Sequence, residues 1–222
     1  MRPPRLHLRR GSLWMAAALL SAPLCAQQPL PSVHDLAARV DRHYNSLHSL
    51  KARFSETYQG LGMDRSESGT LLLRKPGRMK WEYDTPAGKA FDLDGKYAWF
   101  YSPGDPQVQR LPAKELNDLR SPLRFLLGHT ELEKELENLT LAPAANGEFT
   151  LTGRPKGENR VAHLALTVTA QGAITGIEMQ EPDGAITRFR ITEQQPNAPI
   201  PAQTFRFTPP PGVPVVEAPP PV

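Results

Sequence analysis

The sequence predicts a mainly β fold with a few helices, an antiparallel meander of about nine to eleven short strands. Three observations predict it. Large side chains recur at every second position through most of the chain, the period of a strand with one covered face. Glycine-containing turn dipeptides separate those runs. Helical spacing interrupts the alternation once near the front and once in the middle.

The chain opens with MRPPRLHLRRGSLWMAAALLSAPLCA, which predicts a cleaved secretory leader over residues 1–26. Arg2, Arg5, Arg9 and Arg10 precede the apolar run Leu13 to Leu20, and small residues follow. The run is far shorter than the roughly 20 residues that span a bilayer. A cut after Ala26 removes Cys25, the single cysteine of the chain, so disulfide and thiol chemistry drop out. Stability then rests on a hydrophobic core. The remaining 222 − 26 = 196 residues are enough to bury one as a single domain, expected over 27–208. The leader also accounts for the basic balance. The chain has 26 Lys and Arg against 23 Asp and Glu, and losing four arginines leaves 22 against 23. Near neutrality, together with export, argues against nucleic acid as a partner, because such binding depends on neutralising phosphates.

Residues Ser32 to Leu50 predict one amphipathic helix, with Ser32 as cap, Asp35 in the first turn, and Val33, Leu36, Val40, Tyr44 and Leu47 at helical spacing. Alternation follows in Phe54 and Tyr58, in Leu71 and Leu73, in Met79, Trp81 and Tyr83, and in Tyr97, Trp99 and Tyr101. It resumes in Phe149 and Leu151, in Leu164, Leu166 and Val168, in Ile177 and Met179, and in Phe189 and Ile191. Asp94-Gly95, Asn146-Gly147, Gln171-Gly172 and Asp183-Gly184 supply hairpin turns. Between Ala113 and Asn138 the alternation is lost to short helical pieces: Ser121 and Pro122 start one that carries Leu123, Phe125 and Leu126, and Thr130 with Glu133 makes a capping box for the next. Helices this short need an apolar surface to lie on. After Phe205, TPPPGVPVVEAPPPV predicts an extended proline-rich tail over 209–222. The basic residues Arg74, Arg78 and Lys80 read as a solvated strand face.

Catalytic and metal signatures are weak. Asp92-Leu93-Asp94-Gly95 resembles the start of a calcium loop, but the twelfth position, which needs a glutamate, is Pro103. The six histidines have no metal-binding spacing, and no serine elbow or phosphate-cradling glycine loop occurs. No cofactor and no enzymatic activity are expected. What stands out is the crowding of Trp81, Tyr83, Phe91, Tyr97, Trp99, Phe100 and Tyr101 into neighbouring strands. A packed core and an apolar site for a ligand both account for it, and the pattern alone leaves both open.

In order and spacing, Phe54-Ser55-Glu56, Gly69 to Pro76 (GTLLLRKP), Trp81 to Pro86 (WEYDTP), Asp94-Gly95 with Trp99 to Pro103 (WFYSP), Ser121-Pro122 with Leu126-Leu127-Gly128, Asp183-Gly184, and Phe205 to Gly212 (FRFTPPPG) resemble the LolA family of periplasmic lipoprotein carriers. The resemblance spans essentially the whole mature chain. It implies an open antiparallel half-barrel whose concave apolar face is covered by the N-terminal helix and short lid helices. It also implies a periplasmic, monomeric protein whose partners are acylated lipoproteins, an inner-membrane LolCDE-type ABC transporter and an outer-membrane LolB-type receptor. On this reading Phe54, Leu71, Leu73, Met79, Trp81, Tyr83, Phe91, Trp99 and Tyr101 line the acyl-chain cavity, and Leu123, Phe125 and Leu126 belong to the lid. The family's lid-latching arginine falls at Lys75, which offers a point charge in place of a planar fork of donors. A lipid-anchored acceptor, a lipid-sensing domain of the same fold and a carrier of another envelope lipid are the alternatives.

Overall fold

The computed structural model describes residues 30–114, 131–157 and 161–218. The leader and the segment with Leu123, Phe125 and Leu126 lie outside the described residues. Helix α1, Val33–Ser46, begins where Ser32 accepts a 3.0 Å hydrogen bond from the Asp35 amide, satisfying one of the free donors of the first turn. The helix is shorter than the spacing predicts. Leu47 is already extended, and Leu50, predicted as the last helical residue, belongs to the first strand, where its side chain is fully buried.

Twelve strands follow: β1 Ser49–Gly60, β2 Met63–Arg74, β3 Arg78–Thr85, β4 Ala90–Leu93, β5 Tyr97–Tyr101, β6 Val108–Pro112, β7 Leu136–Pro143, β8 Phe149–Pro155, β9 His163–Val168, β10 Ile174–Gln180, β11 Ile186–Pro196 and β12 Val215–Glu217. They form one sheet in the order β12-β6-β5-β4-β3-β2-β1-β11-β10-β9-β8-β7. It is mainly β, open, and not closed into a barrel. Neighbours are antiparallel apart from β12, which pairs parallel with β6. The proline-rich tail is therefore extended as predicted but also contributes an edge strand. A short helix α2, Leu132–Glu135, precedes β7. Thr130 of the predicted capping box lies outside the described residues; Glu131 is the residue before the helix, and the Leu132 amide donates to the Asp41 carboxylate of α1 at 3.2 and 3.3 Å.

One face of the sheet carries the core. Leu71, Leu73, Met79, Trp81, Leu151, Leu166, Ile177 and Ile191 are all buried there, together with Leu36, Val40 and Tyr44 of α1. Hydrogen bonds from Arg39, Ile174 and Lys75 tie the helix to the sheet and its turns. Arg39 Nη1 donates to Ala170 O at 2.9 Å, the Ile174 amide donates to Tyr44 Oη at 3.0 Å, and Lys75 Nζ donates to Tyr44 O at 2.5 Å. Gly172, at φ +92, allows the β9–β10 turn to meet the helix backbone, since a Cβ there would stand 2.5 Å from Arg39 C.

The opposite face has a second, smaller apolar patch built from Leu72, Val108 and Phe205. Phe205 ends the 3-10 turn Ala202–Phe205, which packs against β3. Phe207 stacks on Trp99 with ring centroids 5.3 Å apart, Arg110 pairs with Glu217, and Arg74 Nη1 donates to Ile200 O at 2.8 Å. The C-terminal segment is thus strapped along the face that α1 leaves free.

Candidate functional site

Strand register decides which of the sequence-predicted residues meet. Phe54 opposes Gly69, which opposes Tyr83; Leu71 opposes Trp81, which opposes Phe91; Leu73 opposes Met79, which opposes Leu93. Directly paired residues share a face, so Phe54, Leu71, Leu73, Met79, Trp81, Tyr83 and Phe91 form one wall. Its rings touch edge to face: Phe54 to Trp81 at 4.4 Å, Phe54 to Tyr83 at 5.2 Å and Trp81 to Phe189 at 5.6 Å. Gly69 makes room for this, because a Cβ there would sit 2.8 Å from Phe54 Cε1 and 2.0 Å from Glu82 O.

Trp99 and Tyr101 do not join the wall. Trp99 opposes Asp92 and Tyr101 opposes Ala90, both on the other face. Their neighbours in sequence point inward instead: Ala98 opposes Leu93, and Phe100 opposes Phe91 with ring centroids 4.9 Å apart. Trp99 donates its indole N–H to Asp94 Oδ2 at 2.9 Å and stacks on Phe207. It holds the C-terminal strap and not the wall.

The wall is buried at one end and half-buried at the other. Leu71, Leu73, Met79 and Trp81 are buried under α1, whereas Tyr83, Phe91, Phe100, Met179 and Phe189 are half-buried. At the buried end Lys75 reaches Tyr44 O, and burial lowers the pKa of its ammonium. Lys75 thus bonds to the backbone of α1, while the lid segment it is expected to latch lies outside the described residues.

At the other end the wall gives way, within one cross-strand layer, to charge. Glu56 opposes Glu67. Arg65 lies 3.1 Å from Glu67 and 3.7 Å from Glu56, and Lys89 lies 2.5 Å from Glu67 and 4.5 Å from the centre of the Tyr83 ring. Burial, and then the charge of Glu67, raise the pKa of Glu56; burial and both carboxylates raise that of the Tyr83 phenol. The alternation of large apolar residues passes over these four groups. The signal for them was the short Leu61-Gly62 turn, which sets the register that brings Glu56 opposite Glu67.

The opposite face differs in kind. A groove of about 1120 Å³ runs along it, lined among others by Ser55, Thr57, Thr150, Thr167, Arg188 and Arg190. Farther along, Asp92 is fully buried beside Lys80 Nζ at 3.5 Å, and burial raises its pKa to about 6. Lys80, expected on a solvated surface, is only 19% exposed. The Asp92-Leu93-Asp94-Gly95 stretch forms a turn: Asp94 Oδ1 accepts from the amides of Lys96 and Tyr97, both at 2.7 Å. Among the described residues no cluster of His, Cys, Asp or Glu is placed to hold a metal ion.

Residues 45–208 match the profile of the family described as "Outer membrane lipoprotein carrier protein LolA". An outer-membrane lipoprotein carrier protein of Proteus mirabilis (strain HI4320) is 33% identical over 183 residues, 81% of this chain and 87% of that one. Another, of Chromobacterium violaceum, is 28% identical over 202 residues, 91% of this chain and 95% of the relative. The crystal structure of an uncharacterized conserved protein from Thermus thermophilus shares the fold, with a TM-score of 0.53, 15% identity, and coverage of 85% of this chain and 100% of that one.

Proposed function

This chain belongs to the LolA family, and from that premise we propose that it carries acylated lipoproteins across the periplasm, from an inner-membrane LolCDE-type ABC transporter to an outer-membrane LolB-type receptor. It does so as a carrier and not as an enzyme. The observation that carries the reading is a continuous wall of aromatic and aliphatic side chains whose cover, α1, is held at the buried end by a lysine-to-carbonyl bond.

The physics of the task fits that construction. Each methylene kept from water is worth roughly 0.8 kcal/mol, so an acyl chain cannot leave a bilayer without an apolar shelter. Delivery also requires release, so the shelter must open and hold weakly. In this structure α1 fills the wall with Leu36, Val40 and Tyr44. Cargo therefore competes with the protein's own helix, which limits affinity. Met79 and broad ring faces adapt to many chains, as a carrier indifferent to the attached protein needs.

The test is transfer. Membranes bearing the extractor and a triacylated lipoprotein are incubated with the purified mature protein and ATP. Release of a soluble one-to-one complex is expected. Failure to release lipoprotein, with another envelope lipid co-purifying instead, would replace this reading with a carrier of that lipid.

A further inference from the structure

The wall has a direction. Along β2 it begins at the ion-paired layer of Glu67 and ends six residues later at Leu73, next to the Lys75 latch. Polar side chains on this face are concentrated at the first end: Glu56, Glu67, Arg65 and Lys89 form one contiguous group against Tyr83. A second and independent feature lies one layer from Tyr83. Trp81 is 2% exposed, yet its indole N–H has no acceptor among the described residues. A buried donor left unpaired is rare and costly, and a carbonyl brought in with the cargo would satisfy it.

We propose that the indole N–H of Trp81 and the Arg65–Glu67–Lys89–Glu56 cluster receive the polar head of the acyl cargo, so that chains lie with their ester end at this cluster and their methyl end toward Leu73 and Met79. The inference rests on the carrier reading and adds an orientation to it. The chemistry is matched at both ends. Ester carbonyls accept hydrogen bonds, and Trp81, Arg65 and Lys89 donate them. An amide N–H at the head donates, and the carboxylates of Glu56 and Glu67 accept. The far end, once α1 withdraws, presents Leu71, Leu73 and Met79, which reward hydrocarbon and penalise an ester left without a partner. An amphiphile placed in the reverse direction would set its methyl end against an ion-paired cluster and its carbonyls against leucine.

The experiment uses the mature protein, uniformly labelled with nitrogen-15, and two spin-labelled probes, the methyl esters of 5-doxylstearic and 16-doxylstearic acid. The 5-doxyl ester is expected to broaden the amide signals of Tyr83 and Lys89, and the 16-doxyl ester those of Leu73 and Met79. Trp81→Phe keeps the ring and removes the donor, and Lys89→Met removes one arm of the cluster. Each is expected to weaken ester binding about tenfold, the equivalent of one hydrogen bond, and their amide spectra report separately whether the fold persists. A reversed pattern, or equal broadening from both probes, overturns the orientation while leaving the carrier reading intact. If neither ester binds, both fall.

Discussion

The two faces of the sheet are both covered, but by covers of different kinds. Over Leu73 and Met79 lies α1, which packs as a helix and reaches the sheet through a few polar contacts at Arg39 and Tyr44. Over Lys80 and Asp92 lies the C-terminal segment, joined by the buried Phe205, the Trp99–Phe207 stack, the Arg110–Glu217 pair and the hydrogen bonds of β12. A helix satisfies its own backbone and can leave as a unit. An extended segment depends on its neighbours for every hydrogen bond it makes. The apolar face thus has the cover suited to opening, and the polar face has the one suited to staying.

The strongest way to break this contrast is to empty each cover's anchor. Trp81→Ala and Phe205→Ala each remove a buried ring and should lower unfolding stability by about 3–5 kcal/mol, measured by urea denaturation. Only Trp81→Ala should also abolish ester binding. Equal loss of binding from both would mean that the strap, too, belongs to the site.

Next in size is a pH effect at Asp92 on the strapped face. Burial raises the Asp92 pKa from 3.8 to about 6, so the folded chain holds a proton there that the unfolded chain releases. The folded state is favoured at low pH, and this contribution is lost as pH rises from about 4 to 6, by up to about 3 kcal/mol. Asp92→Asn should flatten that part of the stability profile, and an unchanged slope would exclude Asp92 as its source.

Lys75→Met should remove about 1–2 kcal/mol, visible as faster hydrogen exchange in the last turn of α1 while amides of β12 stay as protected as before. The smallest effect is expected from Ser32→Ala, about 1 kcal/mol from a lost helix cap, seen as fraying of the first turn of α1 by the same measurement.

Much of this was legible in the sequence, and the misreadings share a cause. Met79, Trp81 and Tyr83 alternate with charged residues, so period and face agree. The run Tyr97-Ala-Trp-Phe-Tyr101 has large residues in both phases, and a one-residue change of phase moves a side chain to the other face. The aromatic set Tyr97, Trp99 and Tyr101 looked like the inward one, while Ala98 and Phe100 hold that place because register with Leu93 and Phe91 requires it. The tail misled in another way. Its prolines mark it as unable to enter a sheet interior, and it does not: β12 is an edge strand of three residues. Trp99 and Phe207 are far apart in sequence, and no local pattern links them.

That last strand has a consequence for how copies of the protein meet. An open sheet ends in two rows of backbone groups on which another chain can grow a thirteenth strand. Here one row is reduced to Val215, Val216 and Glu217, with Pro214 before it and prolines from Pro219 after it. The other row, β7, is bent at Asn138, where φ is +54, and stops at Pro143. Neither margin offers a long, flat run of donors and acceptors, so the molecule can keep an unclosed sheet at high concentration without templating fibrils of itself.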